Sequence, residues 1–164
     1  MTDEERTKRN QERMATLYPT FARRIDQLIK DLELRGLKPR IQDAWRSPQD
    51  QRKAYESGHS KLLYGFHNVT GPDGKPEGLA VDLLDDTVPL HPRGSYILQL
   101  AAAAAPLSLQ TGVRWGLPAK LAAAIDNAIA TKNWNAAVKL GWDPTHVEPS
   151  DLTVAEAKAG KRPA

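Results

Sequence analysis

Cysteine is absent from this sequence of 164 residues. No disulfide can form, and any metal site must use imidazole and carboxylate ligands instead of thiolates. A long apolar segment is also missing. The first thirty residues lack the apolar core of a signal peptide, and no run approaches the roughly 20 apolar residues that cross a bilayer. We therefore expect synthesis in the cytoplasm without a signal peptide, and no membrane span.

Neither sign of charge dominates the chain. The 23 Lys and Arg residues are offset by 20 Asp and Glu residues, which leaves a net charge of +3. A nucleic-acid-binding protein needs its basic residues clustered on one face. Here they are spread along the sequence, so we expect no nucleic-acid partner.

Hydrophobic spacing and turn residues predict helices around a few short strands. Apolar residues recur at helical spacing over Phe21–Leu32, and Gly36 marks the end of that helix. Ser47 followed by Pro48 predicts the start of another helix, which stops near Gly58. Because the helices and strands do not alternate regularly, the pattern predicts an α+β domain. Further helices are expected at about 95–105, 118–131 and 134–140, extended segments at 37–45, 79–84 and 141–151, and a loop at 70–78.

The histidines are the first candidates for chemistry, and they are His59, His67, His91 and His146. Taken singly, a histidine is more often a packing or surface residue than a ligand. His59 lies in the polar segment 56–61 and His91 lies between Pro89 and Pro92, so neither is given a function. His146 has Asp143 three residues before it and Glu148 two residues after it. One imidazole with two nearby carboxylates is typical of a metal-activated hydrolase.

His67 and Asp82 supply a second group of candidate ligands. Asp82 ends the small and apolar run Gly78–Asp82. Burying an aspartate among such neighbours is unfavourable unless a cation or several hydrogen bonds compensate for it. In the alternative interpretation Asp82 only caps a turn at the end of a strand, and Asp85 and Asp86 are solvated.

These residues form a longer pattern, H-x(n)-G-x-A-x-D followed far downstream by D-x-x-H-x-E. It resembles the zinc D-alanyl-D-alanine carboxypeptidases and L-alanyl-D-glutamate peptidases of the Hedgehog/DD-peptidase fold, which include many phage endolysins. Three further segments agree with that family, in the right order: 17–19 with the helix after it, 45–58 and 111–116. We therefore expect a peptidase domain over 17–150, a charged N-terminal arm or helix over 1–16, and a polar C-terminal tail over 151–164.

The resemblance implies a small antiparallel sheet that carries the metal site and is flanked by helices. It assigns one Zn²⁺ per chain to His67, Asp82 and His146. Zinc held by two imidazoles and one carboxylate keeps an open position for water.

The same resemblance assigns the catalytic roles. Asp143 is the general base, and Arg46 faces the scissile carbonyl or the developing oxyanion. Glu148 is placed in the outer layer of the site and stays the competing candidate for the base. No residue is assigned to substrate binding.

This sequence departs from the family at several places. Residues 68–81 separate His67 from Asp82, a longer stretch than the family usually has, and Asp73 would fit the shorter spacing. We interpret the additional residues as a longer hairpin or loop between two strands that carry His67 and Asp82. We favour Asp82 because Pro-Asp-Gly around Asp73 is a turn signature. Gly65 stands where the family often has serine. The segment 117–142 is longer than the corresponding link in many relatives. We expect two additional helices in this segment, which shape the substrate cleft.

Together these features predict a monomeric zinc-dependent peptidase that hydrolyses peptidoglycan stem peptides, acting on the cell wall or periplasm after release, as a phage endolysin does. The alternatives are a bacterial cell-wall remodelling peptidase and a non-catalytic zinc-binding module of the same fold. Asp143 and Arg46 favour an enzyme, because a purely structural zinc site needs neither. An L-alanyl-D-glutamate endopeptidase and a D-alanyl-D-alanine carboxypeptidase both fit these ligands, so the bond that is cut stays open.

Overall fold

The computed structural model describes residues 1–164. Six α-helices surround one sheet of four antiparallel strands in the order β1-β2-β4-β3. The predicted α+β fold, with a small antiparallel sheet flanked by helices, is thereby confirmed. The helices are α1 Asp3–Met14, α2 Pro19–Leu34, α3 Pro48–Glu56, α4 Gly94–Ala104, α5 Ala119–Ala130 and α6 Val154–Lys158. The strands are β1 Pro39–Asp43, β2 Val81–Asp85, β3 Leu109–Gly112 and β4 Asp143–Pro149, and two 3-10 turns span Phe66–Asn68 and Ala105–Leu107.

Local signals account for most of the helices. The apolar face predicted for α2 is fully buried, and Gly36 follows the helix with a φ of +78°, which a residue without Cβ adopts without strain. At α3, the Ser47 hydroxyl accepts a hydrogen bond from the Asp50 amide, as expected of an N-cap. Both predicted helices are confirmed, and no helix of the chain is long and apolar enough to span a membrane.

The register of the sheet aligns polar residues across its central strands. β2 lies between β1 and β4, and Asp82 of β2 pairs with His146 of β4. On the other side of β2, Asp43 pairs with Asp82 after an irregularity in the ladder. Directly opposed residues of an antiparallel pair project to the same face. The sheet therefore brings together side chains that are far apart in the sequence.

Three predictions of local structure are wrong. Residues 134–140 are not helical, because alternate residues from Trp134 to Leu140 are half-buried against the core, which is the period of an extended chain. Only α5 lies within 117–142, and none of its residues lines the candidate cleft described below. His67 lies on a 3-10 turn and not on a strand, and β3 was not predicted because its run of apolar residues is too short.

Both ends of the chain contact the rest of the molecule. The Asn10 side chain of α1 donates to the Pro39 carbonyl and accepts from the Ile41 amide, so it covers the free edge of β1. Near the C-terminus, Leu152 and Ala157 are buried in the core. The division into residues 1–16, 17–150 and 151–164 stays a prediction.

Candidate metal centre

Three elements bring His67, Asp82 and His146 to one point. Asp82 comes from β2, His146 from β4 and His67 from the 3-10 turn. Nε2 of His67 lies 3.5 Å from one oxygen of Asp82, and Nδ1 of His146 lies 3.4 Å from the other. One potential ligand atom from each residue lies within 4.8 Å of the other two. Two imidazoles and one carboxylate at this separation form a donor set that suits a divalent transition metal.

The ring of His67 is fixed by the backbone behind it. Its Nδ1 lies 2.6 Å from the Ala44 carbonyl oxygen, which can only accept a hydrogen bond. Nδ1 therefore carries a proton and donates it, and Nε2 is the nitrogen that faces Asp82. This arrangement is typical of a metal-ligating histidine, whose other nitrogen is held by an acceptor in the outer layer of the site.

His146 presents the opposite ring nitrogen. Its Nδ1 faces Asp82 and lies 3.9 Å from the carboxylate of Asp143. Its Nε2 lies 3.7 Å from the carboxylate of Glu148, which shares a face of β4 with it. Asp143 thus lies on the side of the candidate ligand atoms, whereas Glu148 lies behind the ring and is buried.

Burial and neighbouring charges shift the pKa of Asp82, His146, Asp143 and Glu148. Burial raises the pKa of Asp82, but the charges and hydrogen bonds of His67 and His146 outweigh it and leave that pKa well below its usual range. Burial lowers the pKa of His146, but the Asp82 carboxylate outweighs it and leaves that pKa raised. Burial raises the pKa of Asp143, and the charge of Asp82 raises it further. Burial likewise raises the pKa of Glu148. Neighbouring carboxylates with disfavoured ionised forms would be stabilised by a bound cation.

Arg46 lies beside the same cluster and is held in place by two neighbours. Its guanidinium donates to the carboxylate of Asp43 at 2.7 Å and to the side-chain oxygen of Gln51 at 2.8 Å, and it lies 3.9 Å from Asp82. Gln51 is buried, and its amide nitrogen donates to the Ser60 hydroxyl and to a backbone carbonyl two residues further on. Gln51 therefore connects Arg46 to the segment 57–65, which follows α3.

A cleft of about 260 Å³ opens over this cluster and contains every residue that the sequence assigned to the site. Several cleft residues were not predicted. They include Gln51, Ser60, Lys61, Leu62, Trp115 and Trp142, together with His59, which was given no function. Gln51 and Trp115 were parts of recognised segments without an assigned role, but nothing in the local sequence marked Lys61 or Trp142.

The remaining candidates lie outside the cluster. The carboxylate of Asp73 is exposed in the loop 70–78 and accepts a hydrogen bond from the Lys75 amide. His91 is exposed and does not line the cleft. Asp85 and Asp86 are not solvated, contrary to the alternative interpretation. Asp85 is fully buried and pairs with Arg93, while Asp86 contacts two further arginines.

Among known proteins, a solved structure has a similar fold, whereas sequence comparisons give no match. No protein-family model and no curated protein sequence matches this chain. Among solved structures, the fold is similar to that in the crystal structure of the Serratia marcescens L-Ala D-Glu endopeptidase ChiX. The two superpose with a TM-score of 0.54 over 86% of each chain, at 18% sequence identity. At this identity the likeness shows a common fold.

Proposed function

We propose that this chain is a zinc-dependent peptidase that hydrolyses peptidoglycan stem peptides. The observation that carries the proposal is the convergence of His67, Asp82 and His146 at the floor of an open cleft. In each histidine, the ring nitrogen that points away from Asp82 lies near an oxygen acceptor. The acceptor is the Ala44 carbonyl for His67 and the Glu148 carboxylate for His146. The fold shared with an L-Ala D-Glu endopeptidase supports the same reading.

The residues present fit zinc. Catalytic zinc sites use three protein ligands drawn from imidazole and carboxylate and keep a further position open. Bound to His67, Asp82 and His146, zinc would act as a Lewis acid on a water molecule and on the scissile carbonyl.

Other side chains of the cleft would supply the proton transfer and the remaining charge stabilisation. Asp143 would accept the proton of the attacking water and pass it to the amine of the departing residue. A raised pKa of Asp143, caused by burial and by the charge of Asp82, suits a group that must both accept and return a proton. Arg46 would donate to the carbonyl oxygen on which negative charge develops.

We favour the L-alanyl-D-glutamate endopeptidase type because the similar structure carries that name. The D-alanyl-D-alanine carboxypeptidase type requires the same ligands and is the competing candidate. An endolysin role stays a prediction, which addition of the protein to membrane-permeabilised bacteria would test by lysis. A non-catalytic zinc-binding module would leave Asp143 and Arg46 without a role.

Digestion of purified peptidoglycan tests the proposal. We expect the zinc-loaded protein to release fragments with new L-alanine C-termini and D-glutamate N-termini, identified by mass spectrometry. A released D-alanine would indicate the carboxypeptidase type instead. The matched control is the same protein after chelation, which should release neither. If the zinc-loaded protein leaves all stem peptides intact, the non-catalytic module is favoured.

A further inference from the structure

Lys61 and Trp142 form a cationic and aromatic rim at one end of the cleft. The Lys61 ammonium lies 4.3 Å from the centre of the Trp142 ring. Trp142 is 53% exposed and packs against Trp115, whose ring lies 5.3 Å from that of His146. Two indoles therefore connect Lys61 to the candidate metal centre. An indole face attracts a cation and holds a flexible lysine in place.

The charge of Lys61 is not neutralised within the chain. Arg46, the other permanent cation of the cleft, is paired with Asp43. Lys61 has no carboxylate within ion-pair distance, and its contact in the fold is the uncharged indole. An ammonium group without a counter-ion, at the mouth of a cleft, can bind an anionic group of a ligand.

The position of Lys61 relative to Asp143 indicates which part of a substrate it would meet. Lys61, Trp142 and Asp143 line a common hollow of about 260 Å³ beside the cleft. Asp143 lines both the cleft and this hollow. Under the proposed function it returns a proton to the departing amine, which would bring the residue that bears this amine next to Lys61. In an L-Ala–D-Glu bond this residue is glutamate, which keeps one carboxylate free when the other is linked onward. In a D-Ala–D-Ala bond it is a C-terminal residue, which also has a free carboxylate.

We propose that Lys61, held against Trp142, binds the free carboxylate of the substrate residue whose amine departs. The inference rests on the proposed function and adds a specificity determinant to it. A peptide whose carboxylate is converted to an amide keeps its shape but loses the charge that Lys61 would bind. The chain should therefore discriminate between acid and amide forms of one peptide, and Lys61 should be the source of that discrimination.

The test compares two pairs of synthetic stem peptides, one with an L-Ala–D-Glu bond and one with a C-terminal D-Ala–D-Ala bond. Each pair contains the free acid and the amide at the carboxyl group in question. For the pair that the zinc-loaded wild type cleaves, we expect kcat/KM to favour the acid by about 10-fold or more, the lower end of the usual scale for a hydrogen bond to a charged group. Lys61→Met keeps the aliphatic stem on the indole and should bring the ratio close to one, whereas Lys61→Arg should retain a preference for the acid.

Lys75→Met is the matched control, since Lys75 is an exposed lysine of the loop 70–78 that does not line the cleft. Its ratio should equal that of the wild type. Zinc content and melting temperature of the Lys61 variants should also match the wild type, because this side chain is exposed. Cleavage with an unchanged acid-to-amide ratio in Lys61→Met overturns the inference and leaves the proposed function intact. Failure of the wild type to cleave either pair overturns both.

Discussion

His67 and His146 turn different ring nitrogens toward Asp82, and each has an acceptor behind the other nitrogen. For His67 the acceptor is the Ala44 carbonyl at 2.6 Å, and for His146 it is the Glu148 carboxylate at 3.7 Å. A hydrogen bond such as that of His67 selects the tautomer and orients the ring of a metal ligand, whereas the Glu148 carboxylate lies beyond hydrogen-bond distance and acts on His146 through its charge. The arrangement supports an outer role for Glu148 and leaves the inner side of His146 to Asp143.

Metal content tests the proposed ligands. We expect about one zinc per chain in the purified protein, because three donors converge on one point. His67→Ala and His146→Ala should each lose most of it. His59→Ala and His91→Ala are the controls and should retain it, because neither belongs to the cluster. Equal retention by all four variants, measured by elemental analysis, would contradict the ligand assignment.

A second pair of variants separates the base from the outer partner. Asp143→Ala should keep its zinc and its fold, while stem-peptide cleavage falls by about 100-fold or more, the usual effect of losing a general acid–base group. Glu148→Ala should instead weaken zinc binding by about 10-fold to 100-fold, because His146 loses the acceptor behind its ring. Both zinc titration and cleavage under zinc saturation should be measured. If saturating zinc leaves Glu148→Ala inactive and Asp143→Ala active, the two roles are exchanged.

At the scale of elements, β2 and the loop before it determine which aspartate can serve as a ligand. The loop 70–78 is closed by a bridge between Thr70 and Pro76, and Glu77 at its end pairs with Arg162. Such a loop can vary in length at little cost in free energy, because closure entropy grows slowly with length. Asp82 follows the loop within β2, where pairing with β4 aligns it with His146.

The two aspartates can be compared directly. Asp82→Asn should lose zinc and activity, because an amide is a poor ligand and cannot balance the charge of the metal. Asp73→Asn should retain both, because its side chain is exposed and contacts only the loop. Zinc content and peptide cleavage of the two variants decide between them. Loss of zinc in Asp73→Asn alone would show that the metal is bound with the shorter spacing.

At the scale of the whole molecule, the N-terminal helix is attached to the sheet by a buried charge network. Asp86 lies just beyond β2, and its carboxylate approaches the guanidinium groups of Arg6 in α1 and Arg40 in β1, each at 3.4 Å. The Asp86 and Arg6 side chains are only 4% and 6% exposed. An unpaired charge at such a site is strongly unfavourable.

We therefore expect Asp86→Ala to lower the free energy of unfolding by about 3 kcal/mol, because two arginines are left without their shared partner. Asp73→Ala is the control and should change stability by less than about 0.5 kcal/mol, as is usual for exposed positions. Chemical denaturation followed by circular dichroism measures both. An Asp86→Ala variant as stable as the control would show that the network contributes little and that the contacts of Arg9 and Asn10 with β1 are sufficient to hold α1.

The sequence by itself determined the elements whose causes are local. Helical spacing with a glycine stop predicted α2, and a serine cap before proline predicted α3. The same reasoning failed for Trp134–Leu140, since Trp134 and Val138 also fit helical spacing and only packing against the core selected an extended chain. Residue types and their order, through the family resemblance, were sufficient to propose the ligands, the base and Arg46.

Only the tertiary structure decided how these residues meet. Pairing of β2 with β4 places Asp82 opposite His146, and strand pairing depends on contacts between distant segments that leave no local signal. The contact of Lys61 with Trp142 arises in the same way, because two exposed residues from separate segments meet only after the sheet has formed. Local sequence encodes the preferences of single segments, whereas the shape of the cleft and its unpaired charge result from packing between segments.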